Sequence, residues 1–251
     1  MAAASVHGRS ALEHSNEEKL TEIHRVAVLG RPMLGLRSGA SLAGVRRLFP
    51  DPGEVQVADL LADFPPEGPY LALNMVASLD GRAAYQGRTK HLGGEADHEL
   101  FHALRERVDC VMAGAGTVRA EGYGRVIKSD EARARRVSLG LDPEPVMAVA
   151  SRSGDVPVEA PVVGSDPGEL IKRLRSEHGV ASILCEGGPT LNSALLARGL
   201  VDELFLTLSP QLLAGGDPLT IVRGPELVPP VEAELISLAE GGGDLLSRWR
   251  L

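Results

Sequence analysis

Two glycine turns carry the clearest chemical signal in the sequence. Cys110-Val111-Met112-Ala113 runs into Gly114-Ala115-Gly116-Thr117-Val118, and Ile183-Leu184-Cys185 runs into Glu186-Gly187-Gly188-Pro189-Thr190-Leu191. In each, an apolar stretch of strand length meets glycines and then residues able to open a helix. Glycine brings a backbone close to a phosphate with no Cβ in the way, and amides at a helix start point at the anion. Two such turns predict a nucleotide held at two places. Glu186 adds a carboxylate at the strand end, and Thr190 a hydroxyl that bonds a phosphate or caps the helix. A third segment, Asn74-Met75-Val76-Ala77-Ser78-Leu79-Asp80-Gly81, sets polar Asn74 in an apolar strand, where it needs a backbone or ligand partner. Asp80-Gly81 closes that strand.

The first turn lacks the third glycine of a dinucleotide fingerprint, because Arg119 stands there. That argues against a standard Rossmann site. The next strand ends in Ser151-Arg152-Ser153 with no acid. An acid there favours a free ribose 2′-hydroxyl, whereas arginine with hydroxyls favours a 2′-phosphate, so NADP is expected over NAD. The plain alternatives are a solvated turn at Ser151–Ser153 and an N-capped helix after Gly188.

The elements that must position these groups alternate along the chain. Strands are expected at Tyr70–Ala77, Cys110–Ala113, Val146–Ala150, Val162–Val163, Ser182–Cys185 and Glu203–Ser209. Helices are expected at Glu95–Arg107, from Thr117 to Glu121, at Pro167–His178 and at Pro189–Arg198, the last with proline in its first turn. Glu232–Leu238 and Leu245–Leu251 flank a glycine-rich turn and predict an antiparallel hairpin. The expected fold is α/β, a mostly parallel sheet with an antiparallel C-terminal edge. Residues 1–44 read as a poorly packed extension with a short helix around Ser15–His24, or as an upstream start with Met33 as the alternative. The ordered domain then spans 45–251, and Asp51–Pro69 leads into its first strand.

Composition narrows the partners. The 251 residues carry a formal charge of −8, against a nucleic-acid binder, and no stretch approaches the ~20 apolar residues of a membrane span. The two cysteines, Cys110 and Cys185, lie inside apolar runs and read as buried thiols. They supply no disulfide framework and no zinc site, which fits a reducing cytoplasm.

In combination, these segments resemble the reductase domain of riboflavin biosynthesis. The matching motifs are Ala77-Ser78-Leu79-Asp80-Gly81, Leu104-Arg105, Ala113-Gly114-Ala115-Gly116-Thr117-Val118, Glu186-Gly187-Gly188-Pro189-Thr190-Leu191 and Leu200-Val201-Asp202-Glu203-Leu204. The resemblance implies a dihydrofolate-reductase-like fold over about residues 45–251. It also implies NADPH-dependent reduction of the ribosyl group of 5-amino-6-(5-phosphoribosylamino)uracil to ribityl. By position it places Val76, His91, Thr117, Glu121, Ser151 and the loop 188–194 on the cofactor. Gly114, Gly116, Arg152, Gly187, Gly188, Pro189, Thr190 and Leu191 join them from the turns themselves. Asn74, Ser78, Thr89, Arg105 and Glu186 are expected to face the substrate, and a homodimer is implied. The chain departs from the family where it has Asn74 for lysine and Glu121-Gly122-Tyr123 for Asp-Asp-Pro, with Arg88, Lys90, Arg125 or Lys128 as candidate replacements. Those departures keep open a related NADPH reductase acting on a pterin such as dihydrofolate or on another small molecule, and a non-catalytic nucleotide-binding protein is the other rival. For the implied reduction, Asp80 and Glu186 are the candidate proton donors if desolvation raises their pKa, with an ordered water as the alternative. The zinc deaminase that accompanies some family members needs a Pro-Cys-x-x-Cys motif that the sequence lacks.

Overall fold

The computed structural model describes residues 44–251 apart from 159–161 and 217. The extension expected over 1–44, its short helix included, lies outside the described residues except for Gly44.

Among the described residues, ten strands form one sheet. In chain order they are β1 (Gly44–Phe49), β2 (Gly53–Gln56), β3 (Tyr70–Ser78), β4 (Cys110–Gly114), β5 (Val146–Ala150), β6 (Val162–Gly164), β7 (Ser182–Cys185), β8 (Glu203–Ser209), β9 (Glu234–Gly241) and β10 (Asp244–Arg250). The helices are α1 (Glu95–Arg105), α2 (Ala115–Glu121), α3 (Asp130–Ser138), α4 (Pro167–His178) and α5 (Pro189–Leu196), with a 3-10 turn at Val57–Leu61. Across the sheet the order is β2-β1-β9-β10-β8-β3-β7-β4-β5-β6. From β8 to β6 the strands run parallel; from β2 to β8 they pair antiparallel.

Apolar alternation explains the two covered faces. Tyr70 and Ala72 of β3 pack with Leu100 and Leu104 of α1 on one face, while Leu71 and Leu73 pack with Leu170 and Leu174 of α4 on the other. Helix α1 carries Glu95 and Asp97 in its first turn and His102 and Arg105 in its last, as its dipole favours. Asp166 accepts the Gly168 and Glu169 amides at the start of α4, ahead of Pro167 at its first position.

Two expectations need correction. The C-terminal hairpin β9–β10 forms, but it lies inside the sheet, and β1 and β2 extend the antiparallel half beyond it. The chain reverses between β1 and β2 at Asp51, which takes a positive φ of 48°, a turn hidden within a proline-rich lead-in. Helix α3 was not expected from the apolar pattern. Its inward face holds Ala132 and the fully buried Arg136, whose guanidinium donates to the carbonyls of Arg105, Val108 and Asp142. No helix among the described residues is long and apolar enough to cross a membrane.

Candidate active site

The parallel strands all end on one side of the sheet, and the glycine turns sit there together. The Gly114 amide donates to the Gly187 carbonyl at 2.7 Å, so the two turns, 73 positions apart, form a single surface. Close packing explains the glycines. A Cβ on Gly188 would lie 2.8 Å from Thr117 Oγ1, and one on Gly114 would lie 3.4 Å from the Gly188 amide nitrogen. The Gly187–Gly188 peptide is cis, with Gly187 at φ 87°. Helix α5 opens at Gly188 and Pro189 without a side-chain cap, leaving its first amides for a ligand or water. Thr190 is exposed at that opening, and Leu191 turns inward.

Beside the turns lies an open patch of sheet. Every residue of β3 is buried except Asn74 and Val76, which share one face and are half-exposed. Val76 aligns with Thr207 of β8. Leu73 aligns with Cys185 of β7, and the next step of that register sets Asn74 beside Glu186. The Asn74 carboxamide completes no hydrogen bond among the described residues, so the backbone alternative expected for it is not taken up.

Glu186 behaves differently. Its oxygens accept from Arg105 Nε at 2.6 Å and Nη2 at 2.7 Å, and also from the Tyr123 hydroxyl. Both side chains of the ion pair are almost fully buried. The Arg105 guanidinium lies 3.9 Å from the Phe101 ring centroid and 5.5 Å from that of Tyr123. Burial, reinforced by the Glu186 charge, pushes the Tyr123 phenol well above its ordinary range. Three donors converge on the two Glu186 oxygens, which accept from all of them.

A hollow of about 420 Å³ lies at the opposite strand ends, lined in part by Leu61, Phe64, Arg107 and Asp109. Its one carboxylate, Asp109, is taken up by the amides of Ala181 and Ser182 and the Ser182 hydroxyl. The glycine turns, the half-exposed β3 residues and the unpartnered carboxamide all stand on the other side.

A profile of the RibD C-terminal domain family matches residues 69–247. The chain belongs to the RibD C-terminal domain family. A relative from Archaeoglobus fulgidus, 2,5-diamino-6-ribosylamino-4(3H)-pyrimidinone 5′-phosphate reductase, is 27% identical over 215 residues, covering 72% of this chain and 98% of that protein. The riboflavin biosynthesis protein RibD of Mycobacterium tuberculosis is 31% identical over 163 residues, 61% of this chain and 45% of the relative. A pyrimidine reductase-like protein from Corynebacterium diphtheriae shares the fold, with a TM-score of 0.66 at 20% identity, covering 78% of this chain and 98% of that one.

Within this family frame, the residues expected on the cofactor gather at the strand ends. Ser151 is buried one step past Ala150, which aligns with Gly114, and Arg152 beside it is exposed. Gly116 and Thr117 lie in the first turn of α2. Glu121 accepts the Thr89 amide at 2.9 Å, so a residue expected on the cofactor and one expected on the substrate are joined in one contact. His91 is exposed on the same loop, its ring 6.2 Å from that of Tyr85.

Other expected site residues are engaged within the protein. Asp80 is exposed, and the Ser78 hydroxyl at 2.5 Å, with the Ala214 and Leu213 amides, holds its carboxyl down at about 2. It is ionised and no proton donor. Ser78 is fully buried, its hydroxyl shared between Asp80 and the Arg82 amide, so it shapes the turn. Arg105 spends its fork on Glu186. Cys110 and Cys185 are buried free thiols, and burial pushes Cys185 up to about 12, as expected of inert core residues. Sequence reasoning missed Asp97 and Phe101. With Arg105 they stand at i, i+4 and i+8 on α1, a spacing that puts all three on one helix face.

Proposed function

We propose that the chain is an NADPH-dependent reductase that converts the ribosyl group of 5-amino-6-(5-phosphoribosylamino)uracil to ribityl. The joined glycine turns carry this reading, because they set one phosphate-facing surface against the half-exposed Asn74 and Val76. The family and the relatives' named activities point the same way.

The donor set fits a dinucleotide. Gly116, Thr117, Gly187, Gly188, Thr190 and the start of α5 would hold its pyrophosphate, with Ser151 and Arg152 at a 2′-phosphate. Val76, His91, Glu121 and the inward Leu191 would line the nicotinamide half. When bound, the nicotinamide supplies a hydride from C4 to C1 of the opened sugar. The protein's part is to align the two reactants and keep water away from the transfer. Asn74 would bond the pyrimidine through its free carboxamide, and Thr89 would lie against the sugar phosphate. Arg105, Glu186 and Tyr123 act together as the rigid wall of the cleft.

Anaerobic stopped-flow with NADPH tests the proposal. Oxidation is expected with the ribosylamino-uracil phosphate, with the 2-amino pyrimidinone phosphate named for the relatives as a second arm. Oxidation with dihydrofolate alone would favour the pterin reading, and binding without turnover on any of the three would favour a nucleotide sensor. Arg152→Ala is expected to weaken NADPH about tenfold, the effect of losing one charge-assisted bond, and to leave NADH binding unchanged in a fluorescence titration. Equal weakening of both cofactors would remove the 2′-phosphate assignment.

A further inference from the structure

Reduction of the opened sugar needs a proton as well as a hydride, and neither acid read from the sequence supplies one. Asp80 is ionised, and Glu186 accepts three bonds. Glu121, expected on the cofactor, is taken up by the Thr89 amide, and a further acid is Asp97. It begins the α1 stripe that continues through Phe101 to Arg105, and Arg105 reaches Glu186 beside Asn74. At the other end of the stripe, Asp97 packs beside Thr207, the residue aligned with Val76 on the cleft floor. The Thr207 hydroxyl is buried, at 1% exposure. The loop entering α1 is shaped around the carboxyl, since a Cβ on Gly93 would come within 1.8 Å of Asp97 Oδ2. Its neighbour Gly94 donates its amide to Asp244 Oδ2 at 2.6 Å.

We propose that Asp97 is the catalytic acid of the cleft, protonating the nitrogen next to the carbon that receives hydride. This assignment rests on the reductase reading above. The opened ribosylamine presents a C=N bond. Hydride forms the new C1–H bond, the π pair of C=N moves to nitrogen, and nitrogen takes the proton from the Asp97 carboxyl. The nicotinamide is oxidised, the imine becomes a secondary amine, and Asp97 is left as carboxylate to be reprotonated by water.

The surroundings favour the neutral form of this carboxyl over the charged one. Burial pushes the Asp97 carboxyl up, and the Asp244 charge on β10 pushes it further; the Thr207 hydroxyl and His98 on α1 pull the other way without overcoming burial. Asp244 is itself raised by burial, against the Gly94 amide and His98.

Single-turnover NADPH oxidation across pH, with native protein and variants, tests the assignment. Native rates are expected to fall as pH rises through the Asp97 titration. Asp97→Asn should slow turnover about 100-fold or more while NADPH affinity is kept, and its profile should lose that limb. Asp97→Glu should recover part of the rate. Thr207→Val removes a group that lowers the Asp97 pKa, so the limb should move to higher pH. An Asp97→Asn enzyme within threefold of native, or a limb unmoved in Thr207→Val, overturns the assignment and leaves the reductase reading standing. A native chain that oxidises NADPH with neither pyrimidine phosphate overturns both.

Discussion

Two buried arginine–glutamate pairs lie on the same face of the sheet, and they do different work. Arg248 on β10 bonds Glu203 on β8 at 2.5 and 3.2 Å, reaches Asp63 at 2.5 Å, and lies between the rings of Phe64 and Phe205. It is enclosed by core in the antiparallel half. Arg105 and Glu186 form the same bidentate contact between aromatic rings, but Glu186 ends a parallel strand and leads directly into the cis glycine turn. Nearly the same chemistry is a staple in one place and the wall of a cleft in the other. Position at the strand ends decides the role, because only there does an open patch of sheet adjoin it.

Cutting either pair tests that contrast most strongly. Arg248→Met and Arg105→Met should each cost about 3–5 kcal/mol in urea unfolding, since each strands a buried carboxylate. Only Arg105→Met should also change the chemistry, lowering kcat/KM of the folded fraction about 100-fold through a misplaced wall. Equal kinetic losses in the two variants would erase the distinction. In the Arg248 cluster the neighbouring Tyr70 hydroxyl completes no hydrogen bond, so a finer cut is Tyr123→Phe, which removes a bond to the carboxylate that the other pair lacks. It should cost about 1 kcal/mol and raise KM about threefold, with kcat preserved. The smallest effect concerns Asp80, whose folded pKa is depressed to about 2 from an ordinary 3.8. Its tether to Leu213 and Ala214 is therefore complete above pH 4 and weakens as pH falls toward 2, which amide chemical shifts of those two residues would report.

The regular parts of this architecture were open to sequence reasoning where apolar pattern and turn chemistry agree. Strand Glu203–Ser209 and helix Pro167–His178 occur at the expected residues. Helix α3 was not legible because its inward face spends a fully buried arginine on backbone carbonyls, which a hydrophobic pattern cannot signal. Asn74 and Val76 were named from the sequence and are the two half-exposed positions of β3. Arg105 and Glu186 were named separately as substrate contacts. Their pairing across 81 positions depends on the strand order, which no local pattern contains. Asp97 was hidden for another reason: an acid in the first turn of a helix already has an explanation in the helix dipole.

The bond between the Gly114 amide and the Gly187 carbonyl also bears on the entropy of binding. Two independent loops would each have to be ordered when a dinucleotide arrives. Here that order is built into the protein before any ligand is present, so the backbone surface is preorganised and the association loses less freedom. On the cofactor assignment proposed above, what a ligand must still immobilise are the exposed side chains at the rim, Arg152 and His91 among them. The tightness of binding then depends on how well those few groups are matched by the ligand, and much less on the glycine surface beneath them.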